Sequence, residues 1–269
     1  MVCTITSMKL ISLMKLIILL FVLLSTMSYG QIPGSIYPTN GLIAYYSFED
    51  GAVRDRYGNN QGTVAGGAKF VGGSPGNAIL LSSGASQWVT TGLMGNWGGQ
   101  WGQGITIIMK YKSPTNGYGV ITGMYSDFSS QGYLFTVNRG PASPAGAMWT
   151  IIRDSTGHSI TAYMTTGSPL LYDNNFHIIA CVTDPVALSH KFYIDGVNYP
   201  ETYSSAQAQG SGYGNLSWSW AIGAGGDPSG PNSGIINGTI DEYRIYSRTM
   251  AATEIAGLSV IKNPKSSQQ

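Results

Sequence analysis

Short stretches of alternating apolar and polar residues run along most of the chain, separated by clusters of Gly, Asn, Asp, Ser and Pro. Successive side chains in a strand point to opposite faces of a sheet, so this pattern predicts strands. Turn signals recur roughly every 8 to 12 residues, which is typical of β-sandwiches. The predicted strands are Leu42–Phe48, Ala78–Leu81, Gln87–Thr91, Ile105–Tyr111, Gly119–Met124, Tyr133–Asn138, Ala147–Arg153, Ile160–Met164, Phe176–Thr183, Lys191–Ile194, Val197–Pro200, Ser217–Ile222 and Ile235–Tyr246.

A tight turn joins two of these predicted strands. Asp195-Gly196 lies between Lys191–Ile194 and Val197–Pro200. Both central residues of a type I′ turn have positive φ, which the Asp-Gly pair tolerates. The sequence therefore predicts a two-residue β-hairpin at this position.

The two ends of the strand-rich region carry the most specific motifs. The opening strand reads Gly41-Leu-Ile-Ala-Tyr-Tyr-Ser-Phe48, and a turn-rich segment follows it to Gly62. The closing strand reads Gly238-Thr-Ile-Asp-Glu-Tyr-Arg-Ile-Tyr-Ser-Arg248, and helix-forming residues begin at Thr249. These segments resemble the opening and closing motifs of the laminin-G-like, concanavalin A-like lectin-glucanase jelly-roll domains of secreted bacterial proteins.

The resemblance implies an all-β fold: a two-sheet antiparallel jelly-roll β-sandwich with a short C-terminal helix. The domain would cover residues 41–261. Residues 31–40 would form a short lead, and residues 262–269 a frayed tail. Neither an internal repeat nor an alternation of strands and helices indicates a second domain.

Residues 1–30 have the features of a secretory signal peptide. Two lysines precede the apolar run Leu16–Leu24, and the small residues Ser28 and Gly30 suit a cleavage site. The run is shorter than the ~20 residues that span a bilayer. An uncleaved N-terminal helix is the alternative interpretation. We predict a secreted or cell-surface protein that begins near Gln31 and does not insert into the membrane after cleavage.

The charge balance argues against some partners. The chain has 14 basic and 13 acidic residues, with no cluster of Lys and Arg. Nucleic acids and anionic membranes bind basic patches, so neither is a predicted partner. Of the two cysteines, Cys3 lies in the signal segment. Cys181 is therefore left without an intrachain disulfide, and we interpret it as a small buried side chain.

Carboxylates decide whether the domain is predicted to be an enzyme. Glycoside hydrolases need a pair of carboxylates that face the same cleft. Glu49-Asp50 and Asp241-Glu242 are adjacent pairs, so in a regular strand the two members of each pair face opposite ways. No predicted strand carries two carboxylates at i, i+2 or i, i+4. The sequence predicts a non-enzyme, and a hydrolase or lyase that uses residues from distant strands is the less favoured alternative.

A structural calcium ion is the cofactor that the resemblance implies. In this family Ca²⁺ commonly joins the opening segment to the closing strand. The family's acids fall on Glu49 and Asp241, and its Gly-Asn entry to an early strand falls on Gly76 and Asn77. A hard cation prefers six to eight oxygen ligands. The family's Phe-Asp-Gly is absent after that strand, and solvated acids at strand ends are the alternative.

Aromatic side chains are the candidates for ligand recognition, because sugar rings stack on Trp and Tyr. Trp97 and Trp101 lie in a Gly-rich loop, where recognition and packing roles are both open. Trp218 and Trp220 share one face of a strand, and we interpret them as core. The weaker ligand-binding candidates are Tyr118, Tyr125 and Tyr213.

The sequence as a whole predicts a secreted, lectin-like binding or adhesion module. Its predicted partner is a glycan or another cell-surface ligand, and its predicted cofactor is structural Ca²⁺. The carbohydrate part of this prediction comes from fold analogy. The main alternative is a structural or protein-binding surface component with no glycan site.

Overall fold

The computed structural model describes residues 37–74, 76–95, 104–124, 132–137, 144–208, 216–225 and 234–259, and of residues 93–95, 216–219 and 259 only the backbone. The chain divides into two compact units, Met1–Asn40 and Gly41–Gln269. Residues 37–40, the described part of the first unit, contain no helix or strand. Every element named below belongs to the second unit.

Sixteen strands are found in the described residues. In chain order they are β1 (Leu42–Tyr46), β2 (Thr63–Ala65), β3 (Lys69–Gly72), β4 (Asn77–Leu81), β5 (Trp88–Gly95), β6 (Ile105–Lys112), β7 (Gly119–Met124), β8 (Gly132–Val137), β9 (Met148–Arg153), β10 (Ser159–Met164), β11 (His177–Asp184), β12 (Ser189–Ile194), β13 (Val197–Tyr199), β14 (Glu201–Ala206), β15 (Leu216–Ile222) and β16 (Gly238–Tyr246). Short 3₁₀ helices cover Ser83–Ala85 and Pro169–Leu171, and one α-helix, α1, covers Ala252–Ser259.

The strands form two antiparallel sheets, which confirms the predicted sandwich. Sheet A has the order β13-β12-β11-β6-β16-β4-β3, and β1 also pairs with β16. Sheet B has the order β14-β10-β9-β8-β7-β15-β5-β2. The last strand along the chain, β16, therefore lies in the interior of sheet A, where it pairs with β6, β4 and β1.

The core lies between the sheets and is rich in aromatic rings. Tyr133 of sheet B stacks on Trp220 with 5.5 Å between ring centroids, and Trp220 is 1% exposed, as predicted. The predicted burial of Cys181 is also confirmed, because it is fully buried and free. Its thiol accepts a hydrogen bond from the Tyr133 hydroxyl at 3.3 Å.

His190 links the two sheets inside the core. This residue of β12 is fully buried. Its Nε2 lies 3.0 Å from the Ile160 carbonyl of sheet B, and its Nδ1 lies 2.8 Å from the Thr183 hydroxyl. A neutral ring that donates from Nε2 and accepts at Nδ1 satisfies both partners. Burial lowers the pKa of His190 to about 4.

The predicted hairpin is present. Ile194 of β12 pairs with Val197 of β13, and the two residues between them, Asp195 and Gly196, have φ values of 50° and 78°. The Asp195 carboxylate also accepts the Ile178 backbone N–H at 3.0 Å. The turn is thus held against the neighbouring strand β11.

The closing helix is also present and is capped by its own first turn. Glu254 accepts the Ala251 backbone N–H at 2.9 Å, which satisfies one of the amide groups that a helix start leaves open. Glu254 also pairs with Arg248 at 2.6 Å. Ile255 and Leu258 are buried, so one face of this short helix packs on the domain. The described residues include no helix that is long and apolar enough to cross a membrane.

Candidate functional site

Three carboxylates meet where the first and last strands of the domain pair. Glu49 follows β1, and Asp241 and Glu242 lie in β16, which pairs with β1. One carboxylate oxygen from each of the three lies within 4.8 Å of the others. The structure therefore brings together the two acids that the sequence suggested, Glu49 and Asp241, and adds Glu242.

The presence of both Asp241 and Glu242 corrects a sequence expectation. Adjacent residues of a regular strand face opposite ways, so these two acids were expected on different faces. The pairing of β16 with β6 instead shifts register between Asp241 and Arg244, and Glu242 has a left-handed φ of 54°. This β-bulge redirects the side chains locally and allows both to approach Glu49.

Asp241 is the most enclosed of the three acids, with 0% exposure. Its Oδ2 accepts the Ser74 backbone N–H at 3.1 Å. Its Oδ1 is buried and has no hydrogen-bond partner among the described residues. Burial raises the pKa of Asp241 to about 7, against the opposing effects of the Ser74 N–H and the Lys110 ammonium. An ionised Asp241 therefore lacks part of the compensation that a buried charge needs.

Glu49 is held by the entry to β4, which contains Gly76 and Asn77, the two residues predicted as calcium ligands. The Asn77 backbone N–H donates to Glu49 Oε2 at 3.1 Å, and the Asn77 side-chain amide donates to the Glu49 carbonyl at 2.9 Å. Gly76 has a φ of 70°, and a Cβ built on it would lie 1.6 Å from Glu49 Oε2. A larger residue here would therefore have to displace the Glu49 carboxylate and would be strained by the positive φ.

Glu242 is neutralised by a neighbour. Arg244 donates to Glu242 Oε2 at 2.6 Å, and the Tyr45 hydroxyl donates to both carboxylate oxygens at 2.9 and 3.1 Å. The guanidinium lies 3.8 Å from the centroid of the Tyr45 ring. Burial is the main reason why the pKa of Tyr45 is raised, with Arg244 opposing it. Glu242 therefore carries a charge that is already paired, unlike Asp241.

This cluster fits a hard cation better than it fits catalysis. All three side chains offer carboxylate oxygens, and Asp241 contributes a buried oxygen with no hydrogen bond. Oxygen-rich sites of this kind suit Ca²⁺. Retaining glycosidases also place two carboxyl groups about 5 Å apart, but an Asp241 that is 0% exposed leaves no room for a sugar ring beside it.

A fourth acid, Asp55, shows a purely structural arrangement for comparison. It is 6% exposed. Its two oxygens accept five hydrogen bonds, from the backbone amides of Tyr45, Tyr57, Gly58 and Asn60 and from the Asn60 side chain. Backbone and side-chain amides therefore satisfy this carboxylate completely, and Asp55 holds the turn-rich segment that follows β1.

Of the aromatic ligand candidates, only Tyr118 lies among the described residues. Trp97, Trp101, Tyr125 and Tyr213 lie outside them. Tyr118 is 40% exposed, and its ring rests on the backbone of Gly234, where an added Cβ would lie 2.2 Å from the ring. A glycine is thus required beneath this exposed ring.

The sequence analysis missed a set of apolar side chains on the outer face of sheet B. Val120, Leu134, Trp149 and Ile151 form a cluster separate from the core, with Tyr163 packed against it. Trp149 pairs with Tyr163 across β9 and β10. The signal was available in β9, which is apolar at both alternating sets of positions. Trp149 is only 9% exposed, so it is a packing residue more than an open platform.

Comparison with protein families identifies the fold. The model of the concanavalin A-like lectin/glucanases superfamily matches residues 83–256. The chain belongs to the concanavalin A-like lectin/glucanase superfamily. Membership agrees with the two antiparallel sheets and the closing helix. The search of curated proteins gave no match.

Two solved structures illustrate the similarity of fold. Domain 4 of AbnA, an extracellular arabinanase from Geobacillus stearothermophilus solved with arabinotriose, has a TM-score of 0.57 at 18% identity, over 81% of this chain and 98% of that one. The receptor-binding domain of botulinum neurotoxin C/D mosaic serotype has a TM-score of 0.59 at 14% identity, over 82% and 51%. This superfamily member thus spans about half of the toxin domain. Such low identities establish the fold alone.

Proposed function

We propose that this protein is a secreted carbohydrate-binding module, stabilised by calcium and without catalytic activity of its own. The observation that carries the proposal is the carboxylate cluster. It joins the first and last strands of the domain, and its fully buried member Asp241 has an oxygen with no hydrogen-bond partner among the described residues. These features suit a structural ion and not an acid–base pair.

Glu49, Asp241 and Glu242 would hold the ion through carboxylate oxygens. The bound cation would supply positive charge that keeps Asp241 ionised at the position where burial opposes ionisation. Asn77 and Gly76 orient Glu49, and the Ser74 amide orients Asp241. Because the ion would bind only the folded arrangement, its binding free energy would stabilise the fold.

The carbohydrate part of the proposal is supported by the superfamily and by the arabinotriose bound to AbnA domain 4. Tyr118 supplies the chemistry within the described residues. Its ring is partly exposed and is held in place by the Gly234 backbone. A fixed aromatic ring binds the C–H face of a sugar with little loss of side-chain freedom. Trp97 and Trp101 remain sequence-based candidates.

The calcium site is tested by thermal unfolding of the mature protein with calcium and with EDTA. At 100 times the dissociation constant, calcium should add about 2.7 kcal/mol, or roughly 5 to 10 °C in a domain of this size. Asp241→Ala should abolish the difference. Asp50→Ala is the matched control, because Asp50 forms surface ion pairs with Arg54 and Arg56. An EDTA-insensitive melt, with no metal by elemental analysis, would reject the site.

The glycan site is tested by a glycan array with and without calcium, followed by titration of the best ligand. Tyr118→Ala should weaken binding by about 1 kcal/mol, close to fivefold. Tyr57→Ala serves as the control, because Tyr57 is also an exposed tyrosine, at 48%. Failure to bind any glycan while the protein is folded and calcium-loaded would contradict the carbohydrate proposal. It would favour a protein-binding role.

A further inference from the structure

A groove of about 540 Å³ lies on the outer face of sheet A. None of the three clustered carboxylates lines it, nor does Tyr118. Volumes of roughly 300–1,000 Å³ are usual for small-molecule sites. The groove is therefore large enough for a small ligand and separate from both features used above.

The floor of the groove is a row of three cross-strand neighbours. Thr239 of β16 pairs with Leu80 of β4 on one side and with Lys112 of β6 on the other. Leu80 is 39% exposed, and it presents an apolar surface beside a hydroxyl and an ammonium. A ring with one apolar face and polar groups around its edge matches this arrangement of side chains.

Several polar groups of the groove are open to a ligand. Within the described residues, the Thr239 hydroxyl makes no hydrogen bond. Asn237 uses its side-chain oxygen to accept the Ser83 N–H at 2.8 Å, which fixes the orientation of its amide. The amide nitrogen of Asn237 is then a donor without a partner in the described part of the chain. The side-chain amide of Asn174 is likewise open.

Lys112 is the single charged residue among the described residues that line the groove. Its ammonium lies 4.9 Å from the centroid of the Phe176 ring, which holds the side chain in place. It has no carboxylate partner among the described residues. The groove thus presents one positive charge, neutral hydrogen-bonding groups and an apolar floor.

We propose that this groove binds a monoanionic sugar of the uronic-acid type. The carboxylate would pair with Lys112, the ring hydroxyls with Thr239, Asn237 and Asn174, and the apolar ring face would lie on Leu80. A lone lysine, with no arginine among the described residues that line the groove, offers a single point charge, which suits one carboxylate. The proposal does not depend on calcium or on Tyr118.

The test is titration of the ¹⁵N-labelled mature protein with galacturonate, followed by the backbone amide signals. Binding should shift the signals of Leu80, Thr239 and Thr115, and galactose, which lacks the carboxylate, should bind at least several-fold more weakly. Lys112→Met should weaken galacturonate binding about tenfold or more, because a hydrogen bond to a charged group is lost. Lys191→Met is the control, because Lys191 lies on β12 of the same sheet, pairs with Glu201 and does not line the groove.

Each other result overturns the proposal. These results are no shift with galacturonate at millimolar concentration, equal effects of Lys112→Met and Lys191→Met, or shifts confined to residues around Tyr118. Acetate that shifts the same signals with equal affinity would show a plain anion contact and not a sugar site. Tyr118→Ala should leave galacturonate binding intact, so failure here is distinguishable from failure of the proposed glycan site.

Discussion

The groove on the outer face of sheet A is lined by hydroxyl, amide and ammonium groups around Leu80, whereas the outer face of sheet B carries an apolar cluster along β7 to β10. On sheet A the exposed apolar residue Leu80 stands beside Thr239 and Lys112. On sheet B, Leu134 and Trp149 are at most 9% exposed. An outer sheet face is usually polar and solvated. The groove follows this rule, whereas the apolar cluster of sheet B departs from it because its side chains pack against one another.

The largest expected difference between the two faces is in stability. Trp149→Ala should lower the free energy of unfolding by about 3–5 kcal/mol, because it empties a closed apolar site. Leu80→Ala should cost less than about 1 kcal/mol, because this side chain is 39% exposed and surface substitutions are usually mild. Urea denaturation of both variants gives the comparison. Similar costs for the two would show that the faces are not distinct.

The core between the two sheets should lose stability at low pH because of His190. The folded pKa of His190 is about 4, below its ordinary 6.5, so between these values the unfolded chain binds the extra proton. Stability should therefore fall as the pH drops from 6.5 to 4, by about 3 kcal/mol from this residue. The measurement is the difference in unfolding free energy between the wild type and His190→Gln at each pH. A difference that does not change with pH would contradict the neutral buried ring.

A smaller difference in stability is expected between two glycine variants, one beside the carboxylate cluster and one in a turn away from it. Gly76→Ala places a Cβ against Glu49 at a φ of 70°, whereas Gly51→Ala meets no atom within 4 Å at a φ of 65°. Both variants should lose about 1–2 kcal/mol of unfolding free energy, because alanine is strained in a left-handed backbone conformation. Only Gly76→Ala should cost more than that and also weaken the calcium response. If Gly76→Ala and Gly51→Ala have equal melting temperatures and equal calcium responses, Glu49 is not a ligand of the proposed calcium site.

The sequence predicted the fold well because the elements that define it have local signals. Asp195-Gly196 fixes a hairpin through the φ values that these residues tolerate. The alternation of apolar and polar residues in β16 predicts a strand even though a β-bulge interrupts its centre. The strands β2, β3 and β14 were not predicted, because they are edge strands in which no residue is buried. Edge strands gain little from burial, so their hydrophobic pattern is weak.

The candidate site was only partly predictable, for a different reason. Glu49 and Asp241 came from family motifs, and the structure places them together. Glu242 was missed because a β-bulge has no reliable signal in one sequence. Strict alternation predicts that this side chain faces the opposite side of the sheet from Asp241. The groove depends on Lys112, Thr239 and Leu80, which lie on three strands that are distant along the chain. Only strand order and register bring such residues into one row.

The position of β16 has a consequence for the order in which the molecule is made. Residues 238–246 form the last strand along the domain, yet they fill the middle of sheet A between β6 and β4. Until they are synthesised, β6 has only β11 as a partner and β4 has only β3, and unpaired strand edges invite association with other chains. A chain that stopped before Gly238 would lose the centre of a sheet and not an edge. Sheet A therefore cannot be completed until the last strand of the domain has been made.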